Sequence, residues 1–110
     1  MEPSARDTVP EISVTDNKAD SQFEVHVGGV RAGLAQYRLS GEQISIVHTE
    51  VDDAFQGLGL ASRVARTALD SARLRGLVVL PYCPYIRSWI AKHPDYLDLV
   101  PEDRRAEFGL

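Results

Sequence analysis

The chain has 110 residues, of which 44% are hydrophobic and 25% charged, with a formal net charge of -4. This is the length and balance of one globular domain, which excludes collagen-like, coiled-coil and wholly disordered chains. With no basic surplus to neutralise phosphates, a dedicated nucleic-acid binder is disfavoured.

The lone cysteine, Cys83, rules out an internal disulfide framework. No apolar run approaches the ~18 residues of a membrane span. The first nine residues lack the basic start and apolar stretch of a signal peptide. The expected compartment is therefore the cytoplasm.

Residues 1–11 carry Pro3, Pro10, Ser4 and mixed charges without apolar period, and are expected to form a flexible tail. Ile12 and Val14 alternate with polar residues as in a short strand, and the turn-rich run 16–20 follows. Phe23, Val25 and Val27 alternate with Glu24 and His26, which predicts a strand. Gly28-Gly29 then marks a tight hairpin whose turn needs positive φ. The return strand is expected over Val30 to Leu39, and Ser40-Gly41 marks a second turn. A third long strand follows over Ile44 to Val51. Strict alternation puts Ile44, Ile46, His48 and Glu50 on one of its faces and Ser45, Val47, Thr49 and Val51 on the other.

The period then changes. Leu60, Ala61, Val64, Ala65, Ala68, Leu69 and Ala72 make the i, i+3, i+4, i+7 stripe of an amphipathic helix, which Gly76 stops. Leu77 to Leu80 reads as a short buried strand. Pro84 suits the first turn of a second helix, with Ile86, Trp89 and Ile90 as its buried stripe and Pro94 at its end. Tyr96 to Val100 is expected to be a short extended segment, and 101–110 a C-terminal tail or short helix. The order gives an α+β domain over 12–100: an antiparallel meander followed by helix, strand and helix.

Chemistry concentrates between the third strand and the first helix, at Glu50 to Ala61. A helix start exposes unpaired amides and the positive end of the dipole, and small residues let an anion approach them. Gly57, Gly59 and Ala61 meet that need in a Gln-x-x-Gly-x-Ala spacing; a plain joining turn is the alternative. The Walker phosphate loop needs Gly-Lys-Ser/Thr, and no lysine occurs between Lys18 and Lys92, which weakens that reading. A loop that follows an antiparallel meander does not fit the dinucleotide fingerprint.

Gln56-Gly57-Leu58-Gly59-Leu60-Ala61 resembles the Gln/Arg-x-x-Gly-x-Gly/Ala signature of the GNAT N-acetyltransferases. His48-Thr49-Glu50-Val51, the segment Pro81-Tyr82-Cys83-Pro84-Tyr85, and Lys92 to Tyr96 resemble the minimal single-domain branch of that family, which has a cysteine after its fifth strand. The resemblance spans about Ile12 to Val100 and implies a GNAT-like fold and acetyl-CoA as cofactor. It places the pyrophosphate on Gln56, Gly57, Leu58, Gly59, Leu60, Ala61 and Ser62, and the pantetheine arm along the strand ending at Val51. The acetyl group would lie between that strand and the one ending at Cys83.

The implied activity is acetyl transfer to a primary amine of a small molecule, peptide or protein lysine. A non-catalytic acyl-CoA-binding or interaction module is the alternative. Three residues are candidates for the chemistry. Cys83 would sit beside the thioester or take the acetyl group, unless it is a small core residue. Glu50 and His48 could each accept the proton of an ammonium, unless they are ordinary strand residues. Tyr85, like Tyr82, is a candidate to line the cofactor channel or protonate a departing thiolate. Trp89 reads as core from its helical spacing. No His, Cys, Asp and Glu cluster has metal-ligand spacing, so no metal is expected. The family's helices between the first two strands are missing, so an open acceptor groove is expected.

Overall fold

The computed structural model of the chain describes residues 10–110. Of the expected N-terminal tail, residues 1–9 lie outside the described residues.

Five strands form one sheet in the order β1-β2-β3-β4-β5. They are β1 (Ile12–Asn17), β2 (Gln22–Val27), β3 (Val30–Ser40), β4 (Gln43–Val51) and β5 (Val78–Pro81). The first four pair antiparallel as a meander, while β5 pairs parallel to β4. A parallel neighbour needs a crossover, and helix α1 (Leu60–Leu74) supplies it. Helix α2 (Pro84–Lys92) follows β5 with Pro84 in its first turn, where the missing N–H is no loss.

The core forms because the apolar stripes of both helices meet one face of the sheet. Phe23, Val25 and Val27 of β2, Ala35 and Tyr37 of β3, and Ile44 and Ile46 of β4 join Val64, Ala65, Ala68 and Leu69 of α1 and Ile86, Trp89 and Ile90 of α2 in one cluster. Each fully buried Val, Leu or Ile contributes roughly 1.5–3 kcal/mol relative to exposure. The small side chains Ala65, Ala68 and Ala72 let α1 lie close on the strands. A T-shaped contact at 5.2 Å seats Phe108, from the short 3-10 turns near the C-terminus, against Tyr82.

Two expectations need correction. Tyr96 to Val100 is not extended: Pro94–Leu99 forms 3-10 turns that bury Tyr96 and Leu99. The cause lies outside the segment. Pro94 fixes a turn-like φ, and the Tyr96 hydroxyl is anchored on α1, donating to Asp70 at 2.7 Å and accepting from Arg66 at 3.2 Å.

The second correction concerns β4. Tyr37 lies opposite Ile46 and Gln36 opposite His48, so Val47 is an extra residue without a partner on β3. Such a bulge shifts the side-chain alternation by one. Ile44 and Ile46 face the core, but beyond the bulge the core face passes to Thr49 and Val51. Thr49 stands in register with core residues Ala35 and Phe23, and Val51 with Gly33 and Val25. His48 and Glu50 share the outer face with Gln36 and Gln22, and with Leu34 and Glu24.

Candidate active site

β4 and β5 pair only over Gln43–Ile46 and Val78–Pro81. Pro81 has no N–H to continue the ladder, and the Tyr82 amide turns back to the Leu80 carbonyl at 3.1 Å. The last link is the Cys83 amide donating to the Ile46 carbonyl at 2.9 Å. Beyond that point the strands part. From His48 to Val51, β4 is paired with β3 on one side and, among the described residues, has no strand on the other.

The far half of β4 is held from below by a glycine. A Cβ on Gly33 would stand 2.6 Å from the Glu50 carbonyl oxygen and 3.2 Å from Val51 Cα, so only glycine allows β3 to lie this close. Where β4 ends, the Gln56 side-chain amide donates to the Val51 carbonyl at 3.0 Å and ties the following loop to the strand.

That loop enters α1 through Gly59, whose φ of 71° is the left-handed conformation glycine adopts without strain. Gly59 brings no capping oxygen. The first amides of α1 therefore depend on solvent or a ligand, at the positive end of a 15-residue helix.

A cavity of about 240 Å³ opens between the free edge of β4 and this helix start. Val51, Gln56, Gly57, Gly59, Leu60, Ala61, Ser62 and Tyr85 line it, all residues singled out in the sequence. Leu58 is not among them and lies about half exposed on the loop. Phe55, which carried no sequence signal, adds to the wall. Among the described residues no lysine or arginine lines the cavity, and its polar character comes from amides and hydroxyls.

Burial raises the Tyr85 phenol above its ordinary range; a hydrogen bond from Ser62 pulls it down and nearby Cys83 pushes it up.

The three candidates for chemistry stand apart from this lining. Cys83 is buried at the vertex where β4 and β5 part, its thiol 3.5 Å from the Thr49 hydroxyl. Thr49 was missed in the sequence because strict alternation put it on the wrong face. His48 and Glu50 are exposed on the outer face and paired with each other at 2.8 Å. The structure thus brings Cys83 to the inner side of the gap and Glu50 and His48 to the outer side. Among the described residues, no three His, Cys, Asp or Glu side chains gather as a metal site, and no helix is long and apolar enough to cross a membrane.

The profile of the GCN5-related N-acetyl-transferase family matches residues 22–99. Protein NATD1 of Xenopus tropicalis is 31% identical over 96 residues, covering 86% of this chain and 84% of that protein. Protein NATD1 of Homo sapiens is 32% identical over 85 residues, covering 76% and 75%. Among solved structures, a GCN5-like protein from Staphylococcus aureus superimposes with a TM-score of 0.63 at 21% identity, over 86% of this chain and 90% of that one. N-acetylglutamate synthase from Neisseria gonorrhoeae, complexed with coenzyme A and N-acetyl-glutamate, gives a TM-score of 0.54 at 20% identity, over 80% of this chain and 22% of that one. At such identities the structural likeness establishes the GNAT-like fold.

Proposed function

Because the chain belongs to the GCN5-related N-acetyl-transferase family, in its minimal single-domain form, we propose that it binds acetyl-CoA beside β4 and acetylates a primary amine. One observation carries this reading: the unpaired edge of β4 is followed, across the short loop 52–59, by an uncapped helix start. An extended amide-bearing arm can pair with such an edge as an added strand does, and a pyrophosphate fits the free amides of Leu60, Ala61 and Ser62. The cavity between the two is lined by neutral groups, of which Gly57, Gly59, Ala61 and Ser62 are small enough for close approach.

When bound, acetyl-CoA would supply an activated acyl group as a thioester. The chain's own residues would do the rest. The amides of the glycine loop and the Ser62 hydroxyl would hold the anionic end. A β4 amide beyond the bulge would face the developing oxyanion. Thr49 and Cys83 would shape the inner wall of the gap, and Tyr85 would close the cavity side. An amine coming from the outer face meets Glu50 and His48 first, and either could take its proton, directly or through water. β1 and β2 are joined by a turn alone. The acceptor side is therefore open, which suits an amine carried on a peptide or protein as well as a small one. Because Cys83 borders the gap, an acetyl-Cys83 intermediate is the variant mechanism, and retained turnover in Cys83→Ala would remove it.

The test has two stages. Titration with coenzyme A should shift the amide resonances of Gly57 to Ala61; a silent loop would overturn the reading. A panel of amines with acetyl-CoA should then release free thiol with at least one acceptor. Glu50→Gln should slow that turnover by about a hundredfold if Glu50 is the base. Tight coenzyme A binding without turnover on any amine would instead identify a binding module.

A further inference from the structure

We propose that Trp89 is a positioning residue for the anion-binding turn, acting through Ser62. The inference rests on the coenzyme A reading above and concerns how this chain prepares its helix start.

Trp89 is buried on α2, and its helical spacing marks it as core. Yet a buried indole N–H needs an acceptor, and this one reaches across to another helix. Trp89 Nε1 donates to Ser62 Oγ at 2.8 Å. Ser62 is the third residue of α1 and lines the cavity.

The indole is itself fixed on several sides. It stacks on His93 with 3.7 Å between centroids at 12°, and Tyr96 meets it edge-on at 5.0 Å. The Arg66 guanidinium lies 5.3 Å over its face. His93 is held in turn by its Nδ1, 2.7 Å from the Trp89 carbonyl. A ring clamped in this way presents its N–H at one place.

The effect on Ser62 is chemical. A helical serine can turn its hydroxyl back to a carbonyl one turn earlier, here that of Leu58 or Gly59, and spend its proton there. With an indole N–H already on Oγ, the hydroxyl is fixed in place, and its one proton is free to pass from the Tyr85 phenol to a phosphate oxygen when an anion arrives. Accepting one hydrogen bond also strengthens the one it gives. Among the described residues no basic side chain lines the cavity, so there a phosphate oxygen is held by neutral donors. The Ser62 hydroxyl is one of few such donors outside the backbone.

The test reads the single tryptophan of the chain. Coenzyme A should move the Trp89 indole N–H resonance together with the amides of Gly57 to Ala61. S-acetyl-pantetheine, which lacks the pyrophosphate, should leave the indole unmoved. Ser62→Ala and Trp89→Phe should each weaken coenzyme A binding about tenfold, measured by titration calorimetry. The double variant should lose no more than either single one, because both remove the same contact. A merely structural role for Trp89 predicts an equal loss for S-acetyl-pantetheine and additive losses in the double variant, and either result overturns the proposal. So does a silent indole while the loop amides shift. That last outcome leaves the cofactor reading standing, whereas no shift anywhere removes both. The indole measurement needs no variant, so it decides the matter even if Trp89→Phe does not fold.

Discussion

The two halves of β4 differ sharply. From Gln43 to Ile46 the strand is paired on both sides, by β3 and by β5, and Ile44 and Ile46 are buried in the core. From His48 to Val51, among the described residues, it is paired on one side only, and its side chains are half-buried or exposed. The change happens over about one residue on each side: the bulge at Val47 toward β3 and Pro81 at the end of β5. The near half holds the fold together. The far half offers a free backbone edge, a cavity on one face and an ion pair on the other. A site can be built on a sheet this small because the sheet stops pairing partway along one strand.

If the halves have these separate tasks, changes in each should fail differently. The largest loss of stability is expected from the near half. Ile46→Ala removes a side chain buried to 1% exposure, at a cost of about 3 kcal/mol in denaturant unfolding. Below the unfolding transition, the coenzyme A affinity of the remaining folded protein should stay within about twofold. A large affinity loss there would break the division, since it would mean that the core half sets the geometry of the cavity.

Gly33→Ala comes next and should show the reverse pattern. The added Cβ lands on the Glu50 carbonyl and beside Val51, so β4 must move away from β3 just where it borders the cavity. Overpacking of this kind costs roughly 2 kcal/mol. The displaced strand should also lose coenzyme A binding beyond what stability explains. Equal affinity in Gly33→Ala would show that the far half tolerates movement, and the free edge would then be a weaker basis for the function.

The same division marks what could be read in advance. Elements that depend on local chemistry were legible: the Gly28-Gly29 hairpin, the stripe from Leu60 to Ala72, Pro84 at the start of α2. The loop from Gln56 to Ser62 was legible as well, because a helix start that receives an anion must carry small residues there. The bulge at Val47 was not. Ser45, Val47 and Thr49 alternate with Ile44, Ile46 and His48 as well as any strand does, and the slip exists only in the pairing with Gln36 and Tyr37 of β3. One unseen residue put Thr49 and Val51 with the wrong neighbours and His48 and Glu50 on the wrong side of the sheet. Trp89 was hidden for a related reason. Its spacing reports burial, while its partner Ser62 is 27 residues away and on a different helix.

The smallest expected effect sharpens the comparison from the closed end, and it depends on pH. Tyr37 lies opposite Ile46 and donates its hydroxyl to Asp16 Oδ1 at 2.6 Å. Burial first, and the Asp16 carboxylate second, raise its phenol to about 12. A group whose folded pKa is raised above its unfolded value near 10 favours folding while protonated. Its contribution is complete below about pH 10 and disappears as the pH rises through 12. Tyr37→Phe removes this hydrogen bond but keeps the ring in its tilted contact with Phe23, 5.4 Å between centroids. At neutral pH the variant should be less stable by about 1 kcal/mol. Between pH 10 and 12 the wild-type protein should lose that advantage, so that the two unfolding curves converge. Parallel curves across that range would mean that the phenol does not carry the coupling. Because the contact ties β3 to β1 at the end away from the cavity, the loop amide shifts produced by coenzyme A should be the same in both proteins. Altered shifts at Gly57 to Ala61 would show that the closed half reaches further into the site than the pairing pattern of β4 implies.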